Sequence, residues 1–253
     1  MGKIKETARV ISQKNIATDI YSMWIETKIA AMAKPGQFIS VYTKNDAKLL
    51  PRPISICEID KEKNALRIVY RTVGAGTKEF CGYEENDTVT VLGPLGNGFP
   101  LLNEDAILIG GGIGIPPMLE LFKELDCKKT VVCGYRDELF LDKELEQYGD
   151  VVIATEDGSS GTKGNVIDAI KAQGVEGKVI YACGPMPMLR GIKAYAEEKG
   201  IKAYISLEEK MACGVGACLG CVCKSKEKDD HSKVNNKRIC ADGPVFLADD
   251  VDI

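Results

Sequence analysis

The stretch AILIGGGIGIPPMLELF (106–122) joins an apolar run to a helical pattern through four glycines and two prolines. A continuous apolar strand is typical of a parallel sheet whose two faces are both covered. Proline suits the first turn of a helix, because the N–H that it lacks would have no partner there. The stretch therefore predicts a strand, a tight turn and a helix over 116–125, which is the repeating unit of α/β sheets.

The same alternation of strand and helix continues toward the C-terminus. A second helical pattern covers 186–198, and further apolar runs precede and follow it. The predicted strands are 106–110, 130–134, 151–155 and 179–183, with a last strand over 202–207. These patterns predict a Rossmann-like domain over 101–207 with a parallel five-stranded sheet.

The N-terminal part of the chain has a different pattern. Six short alternating or β-branched runs lie between turn residues, at 8–12, 20–26, 37–43, 54–59, 66–71 and 88–92. Strands that follow one another without intervening helices are typical of antiparallel barrels. We therefore predict a six-stranded antiparallel barrel over residues 1–100.

Composition excludes several classes of function. The chain has 253 residues, 33 Lys and Arg, 37 Asp and Glu, ten cysteines and a single histidine, His231. The net charge of -4 argues against a nucleic-acid partner, and one histidine excludes metal sites that need two imidazoles. The apolar stretch 106–119 is too short to cross a bilayer, so we expect a soluble, cytoplasmic protein without a membrane partner.

A cysteine-rich tail, 208–253, follows the predicted sheet. Its spacing is C-x4-C-x2-C with a distant fourth cysteine, formed by Cys213, Cys218, Cys221 and Cys240. This is the plant-type 2Fe-2S pattern, and nearby glycines allow backbone N–H groups to turn toward the sulfurs. A four-cysteine zinc knot is the alternative, although it usually has CxxC pairs. Cys223 is interpreted as a spectator thiol, and the lysine-rich run 224–238 as a solvated loop.

Two further groups of residues point to dinucleotides. The glycine turn after the first parallel strand suits a pyrophosphate, although it departs from GxGxxG and a packing turn stays open as the alternative. Its candidate residues are Gly110, Gly111, Gly112 and Gly114, together with Cys183, Gly184 and Pro185 at a second strand end. The barrel has residues that match a flavin dinucleotide. They are a proline at the start of a strand, an aromatic ring, two cations and a flexible loop. These candidates are Arg52, Pro53, Ile54, Ser55, Tyr70, Arg71, Gly76 and Thr77.

Together these motifs resemble those of a known family. RPIS (52–55), GAGT (74–77), GPLGNGF (93–99), GGGIGIPP (110–117) and CGP (183–185) are similar to the ferredoxin reductase superfamily. MACGVGACLGCVCK (211–224) and CADGPVF (240–246) resemble the electron-transfer subunits of type B dihydroorotate dehydrogenases. The resemblance covers essentially the whole chain.

The resemblance implies an oxidoreductase subunit that binds FAD and a 2Fe-2S cluster and uses NAD(H) as substrate. Ser55 would lie near flavin N5, and FAD would also contact Val69, Tyr70 and Arg71. A nicotinamide exchanges a hydride, which carries two electrons, whereas a 2Fe-2S cluster exchanges single electrons. FAD is therefore needed between them. The partner would be an FMN-containing catalytic subunit that oxidises dihydroorotate in pyrimidine biosynthesis, in a heterotetramer with two of each chain.

Two questions stay open at this point, the choice between NAD and NADP and the identity of the partner. NAD and NADP would be distinguished at the strand end Gly134, Tyr135, Arg136, where an arginine is compatible with either nucleotide. Reductase subunits of sulfide dehydrogenases and of bifurcating NADH/ferredoxin complexes share this order of domains, so they are the alternative to dihydroorotate oxidation.

Overall fold

A computed structural model of the chain describes residues 2–45, 47–228 and 233–253, so His231 lies outside the described residues. Its N-terminal part is a closed antiparallel barrel with the strand order β1-β2-β5-β4-β3-β6, which confirms the predicted architecture. A short helix, α1 (Ala75–Phe80), connects β5 to β6, and a 3-10 helix covers Lys28–Ala31. The strands are β1 (Ile4–Ala17), β2 (Ile20–Glu26), β3 (Phe38–Val41), β4 (Arg52–Asp60), β5 (Ala65–Arg71) and β6 (Thr88–Leu95).

The second part is a sheet of seven strands in the order β10-β9-β8-β7-β11-β12-β15, flanked by helices. The strands are β7 (Ala106–Gly111), β8 (Lys129–Tyr135), β9 (Asp150–Thr155), β10 (Thr162–Lys163), β11 (Val179–Cys183), β12 (Lys202–Ser206) and β15 (Val245–Leu247). The helices are α2 (Pro116–Glu124), α3 (Asp142–Leu145), α4 (Val166–Gln173) and α5 (Met186–Lys199), and a 3-10 helix covers Gly112–Gly114.

The five predicted parallel strands are present, which confirms the predicted fold class, and two further strands extend the sheet to seven. A two-residue strand, β10, pairs in parallel with β9 at one edge. At the other edge β15, which belongs to the cysteine-rich tail, pairs antiparallel with β12. The strand β15 was missed because three residues that extend an existing edge carry no periodic pattern of their own.

The tail also forms a small sheet of its own. Its strands are β13 (Val222–Ser225), β14 (Asn236–Arg238) and β16 (Val251–Asp252), in the order β14-β13-β16, and a 3-10 helix covers Ala248–Asp250. Val222 pairs with Arg238 and Lys224 with Asn236. The run 224–238 is thus not a plain solvated loop, because its two ends form a hairpin.

The barrel is fixed to the sheet domain by a buried polar contact. Arg67 of β5 donates to Glu58 of β4 at 2.7 Å and to Glu144 of α3 at 3.1 Å. Its Nε donates to the Ser22 hydroxyl at 2.8 Å. A buried cation is tolerated because all of these groups are satisfied, and such a network fixes geometry more than it adds stability. None of the helices in the described ranges is long and apolar enough to cross a membrane.

Candidate functional site

The barrel strands β4 and β5 line a cavity of about 450 Å³, which we call the flavin cavity. Phe38, Leu207, Met211 and Pro244 complete its wall from other parts of the chain. Its volume lies within the ~300–1,000 Å³ typical of ligand sites. It brings together eight of the residues predicted to contact FAD: Arg52, Pro53, Ile54, Ser55, Val69, Tyr70, Arg71 and Thr77.

Gly76 lies directly beneath the side chain of Arg52. A Cβ atom at Gly76 would be 2.1 Å from the Arg52 Nε and 2.5 Å from its Cζ. The guanidinium of Arg52 also donates to the carbonyl oxygen of Leu50. Glycine at position 76 therefore allows the cation to lie flat over the loop at the edge of the cavity, where it can pair with an anionic group.

The side chain of Thr77 hydrogen-bonds within its own loop. Its hydroxyl accepts from the N–H of Val73 at 3.0 Å and donates to the carbonyl of Gly74 at 3.1 Å. The single hydroxyl proton is thereby used within the turn. Thr77 therefore fixes the shape of the loop at the cavity, and its contact with FAD stays a prediction.

Tyr70 is held from behind by a residue that the sequence analysis missed. Its hydroxyl donates to Gln13 Oε1 at 2.7 Å, and its ring stacks on Tyr21 with centroids 6.0 Å apart. Burial raises the pKa of Tyr70, so the hydroxyl remains a donor. The amide nitrogen of Gln13 donates to the carbonyls of Phe80, Cys81 and Tyr83 at the end of α1. Gln13 lies in the polar run Ser12 to Asn15 of β1, and nothing in that run indicated this role.

A second cavity, of about 320 Å³, lies at the carboxyl ends of β7, β8 and β11. We call it the nucleotide cavity. The sheet order reverses between β7 and β11, and this is where open α/β sheets bind their ligands. Of the predicted residues, Gly111, Gly112, Gly184 and Pro185 line it. Arg71, Ile113 and Glu208 line both cavities, so the two are adjacent.

The other three predicted residues of this region serve packing. A Cβ at Gly110 would lie 2.7 Å from the Cα of Ile115, and one at Gly114 would lie 2.2 Å from the Cys183 carbonyl oxygen. The Cys183 side chain is buried in the core, and burial raises the pKa of its thiol. Cys183 is not among the residues that line the nucleotide cavity, and its contact with the nicotinamide nucleotide stays a prediction. Part of the turn thus lines the nucleotide cavity, and the other part packs against neighbouring backbone.

The four cysteines of the predicted cluster lie near one another. Cys213 interacts with Cys218 and with Cys240, and Cys240 also interacts with Cys221. Cys221 and Cys240 are buried, whereas Cys218 is exposed. Among the described residues, no group of three or more His, Cys, Asp or Glu side chains is arranged around a single metal-ion position. The choice between a zinc ion and a 2Fe-2S cluster therefore rests on the cysteine spacing.

Backbone N–H groups turn inward toward these sulfurs. The N–H of Gly216 donates to the Cys240 sulfur at 3.1 Å, and that of Ala217 to the Cys213 sulfur at 3.3 Å. Gly214 and Gly216 have φ values of +66° and +86°, which favour glycine. Burial opposes ionisation of Cys213, but backbone hydrogen bonds lower its pKa to about 6. These hydrogen bonds therefore favour the thiolate of Cys213, the form that binds metal, whereas burial raises the pKa of Cys240 to about 12.

An ion pair that the sequence analysis missed closes this loop. Arg238 donates to the Asp242 carboxylate at 3.0 and 2.9 Å, and to the carbonyl of Gly216 at 3.2 Å. The pair spans Cys240 and ties it to the loop of the other three cysteines. The only signal was an Arg and an Asp four residues apart around a cysteine. Cys223 lies in β13, where burial raises the pKa of its thiol.

The comparisons with known proteins agree with this geometry. Residues 208–252 match the model described as the iron-sulfur cluster binding domain of dihydroorotate dehydrogenase B. The chain is 44% identical, over 96% of its length and 96% of theirs, to proteins of Bacillus cereus strain B4264 and Bacillus anthracis strain CDC 684. Both are described as the electron transfer subunit of dihydroorotate dehydrogenase B (NAD(+)). The chain belongs to this family.

Solved structures place the family within a wider fold. A structure of an NADH-dependent reduced ferredoxin-NADP oxidoreductase is 28% identical, with a TM-score of 0.87, and covers 97% of this chain and 89% of its own. A ferredoxin reductase of carbazole 1,9a-dioxygenase has a TM-score of 0.67 at 18% identity, covering 79% of this chain and 67% of its own. The second shows the fold alone, and the resemblance to ferredoxin reductases is confirmed.

Proposed function

We propose that this chain is the electron-transfer subunit of an NAD-dependent dihydroorotate dehydrogenase in pyrimidine biosynthesis. Electrons would come from the FMN of a partner catalytic subunit and pass through a 2Fe-2S cluster and FAD to NAD. One observation carries the proposal: the flavin cavity is bounded on one side by the nucleotide cavity and on another by the cysteine-rich tail. The tail contributes Met211 and Pro244 to its wall.

The flavin cavity fits FAD through its own residues. Bound FAD supplies the exchange between hydride and single-electron chemistry. Arg52, set over Gly76, and Arg71 are the cations that would bind its phosphates, and Tyr70 offers a fixed ring face. Ser55, on β4 in the cavity wall, would lie near N5 and orient the ring by a hydrogen bond. The turn fixed by Thr77 would shape the phosphate end.

The cluster would be held by Cys213, Cys218, Cys221 and Cys240. The support is the proximity of these cysteines and the inward N–H groups, which stabilise charge on the sulfurs. Cys223 would remain a spectator, because its thiol lies within the hairpin. The whole segment 208–253 would act as the cluster domain, after a barrel over 1–100 and a nucleotide domain over 101–207.

The nicotinamide nucleotide would bind Gly111, Gly112, Gly184 and Pro185. Gly110, Gly114 and Cys183 would support that surface from behind, so their contribution is to its shape. At the strand ends beyond the glycines, Arg136 and Glu156 both line the cavity. A carboxylate there opposes the 2'-phosphate of NADP, which favours NAD(H) as the substrate.

The partner would dock against the exposed end of the cysteine loop. Cys218 is exposed, and the apolar residues Val215 and Leu219 beside it are 36% and 51% exposed. Exposed apolar side chains around a redox group are typical of a protein interface. We propose an FMN-containing dihydroorotate-oxidising subunit as this partner, two of each chain, in the cytoplasm.

Reconstitution tests the proposal. The chain is co-expressed with an FMN-containing dihydroorotate dehydrogenase subunit, loaded with FAD and iron, and assayed for NADH formed with orotate. Coupled formation of both products is the expected result. A complex with full flavin and iron content that oxidises dihydroorotate without forming NADH would contradict the proposal.

A second function is favoured by one observation, the TM-score of 0.87 with the NADH-dependent reduced ferredoxin-NADP oxidoreductase structure. In this case the chain would be the reductase subunit of a bifurcating NADH/ferredoxin complex or of a sulfide dehydrogenase. Dihydroorotate would then fail to reduce the native complex, whereas reduced ferredoxin or sulfide would reduce it. Purifying the chain anaerobically from its source and identifying the subunit bound to it separates the two functions.

A further inference from the structure

One asparagine joins the barrel to the cysteine-rich tail. Asn97 lies in the turn after β6, and its backbone N–H donates to the carbonyl of Gly243 at 2.7 Å. Its side-chain amide donates to the carbonyls of Asp242 and Val245, both at 3.0 Å, and accepts from the Val245 N–H at 3.1 Å. Although Asn97 is exposed, both hydrogens and the oxygen of its amide are bound to one short backbone segment, 242–245.

The two backbones meet with no room for a side chain between them. A Cβ at Gly96, which has a φ of +70°, would lie 2.4 Å from Pro244 Cδ and 2.7 Å from the Gly243 carbonyl oxygen. On the opposite side, the buried side chain of Gln37 donates to the Gly96 carbonyl at 2.8 Å. The turn that carries Asn97 is therefore fixed between the barrel and the segment 242–245.

Residues 240–244, which overlap this segment, connect the two proposed redox sites. Cys240, a proposed cluster ligand, lies two residues before Asp242 and is buried against Cys221, whose sulfur accepts its N–H at 3.4 Å. Pro244, at the other end, lines the flavin cavity. The backbone from Cys240 to Pro244 thus links a proposed cluster ligand to the flavin cavity. Asn97 hydrogen-bonds to this stretch at Asp242 and Gly243.

We propose that Asn97 is a positioning residue that holds the segment 240–244 against the flavin cavity and so sets the transfer of electrons between flavin and cluster. The inference rests on the proposed function. Among the amino-acid types with a side chain of this length, only asparagine has both two donor hydrogens and an acceptor oxygen on one amide group. Loosening the segment widens the gap between the two groups, and small displacements of positioned redox partners cost large factors in rate.

Two substitutions test the role of Asn97. Asn97→Asp keeps the size of the side chain but directs a carboxylate at two carbonyl oxygens, and Asn97→Ala removes the contact without adding charge. Asn103→Asp, at an exposed position beyond the joint, is the control for charge. The full chain, loaded with FAD and cluster, is mixed with NADH; flavin reduction is followed by absorbance and cluster reduction by freeze-quench EPR.

We expect flavin reduction at the wild-type rate in all variants and cluster reduction slower by about tenfold or more in both Asn97 variants. The midpoint potential of the cluster should stay at the wild-type value in Asn97→Ala. Unchanged cluster reduction in that variant would overturn the proposal, as would a slower rate explained in full by a shifted potential.

If an Asn97 variant binds less iron than the wild-type chain, backbone hydrogen exchange tests the positioning role of Asn97. The proposal expects faster exchange confined to 240–246, including the N–H of Val245. Exchange that is unchanged there, or faster throughout the barrel, would overturn it. A wild-type chain that binds neither flavin nor iron would contradict the proposed function instead, which is a separate outcome.

Discussion

The flavin cavity and the cysteine loop (213–221) are built in different ways. The cavity walls are strands of a closed barrel, and side chains such as Tyr70 are fixed by hydrogen bonds to groups behind them. Residues 208–221, all within the described ranges, form no helix or strand, and the loop directs its N–H groups at sulfur. The first site is therefore formed by the fold, and we expect the second to depend more on the group that it binds.

The largest loss of a bound group is expected on substitution of the proposed cluster ligands. Cys218→Ala removes one proposed ligand and should abolish the 2Fe-2S cluster, because three thiolates leave one iron open. Cys223→Ala, the matched control in the adjacent hairpin, should keep it. Iron and sulfide content and the EPR signal of the reduced protein measure the outcome, and equal losses in the two variants would refute the ligand assignment.

Removal of iron from the wild-type chain tests the same difference without a mutation. Anaerobic chelation should increase hydrogen exchange over 211–225 and 236–243 and leave β4 and β5 protected. The reason is that metal binding contributes folding free energy only to the segment that holds it. Exchange that rises equally in the barrel would show that the two regions are not independent.

The two regions also differ in how much of them could be predicted from sequence. The cysteine spacing predicts the ligand set from a short local pattern, because a tight loop with C-x4-C-x2-C is typical of plant-type 2Fe-2S sites. In the barrel, the residues that face the cavity were recognised through motifs, but Gln13 was not. Its role depends on β1 lying beside the end of α1, a long-range contact that no local pattern encodes.

Glycine patterns illustrate the same limit. Gly110, Gly111, Gly112 and Gly114 indicated a close approach, and the structure has one at this turn, but only two of the four line the cavity. The sequence indicates that a Cβ is excluded and does not indicate which neighbour excludes it. For Gly114 the neighbour is the backbone of Cys183, which lies on another strand.

A smaller effect is expected at the loop beneath Arg52. Gly76→Ala places a methyl group on the Arg52 guanidinium and should weaken FAD binding by about tenfold, the equivalent of one charge-assisted hydrogen bond of about 1.5 kcal/mol. Gly74→Ala is the matched control, since its Cβ would meet no described atom within 4 Å. Titration of the apo chain with FAD measures both. Equal affinities in the two variants would show that Arg52 does not bind the flavin.

The smallest effect tests how far the cavity is formed by the fold itself. Tyr70→Phe removes one hydrogen bond, from the Tyr70 hydroxyl to Gln13, and should lower the free energy of unfolding of the apo chain by about 1 kcal/mol. Tyr204→Phe, a half-buried tyrosine stacked on Tyr181, is the control. FAD affinity should change little, because Tyr21 and Phe80 still fix the ring at position 70. A large loss of FAD affinity with unchanged stability would mean that the Tyr70 hydroxyl binds the flavin directly, and the cavity would then resemble the cysteine loop in depending on its ligand.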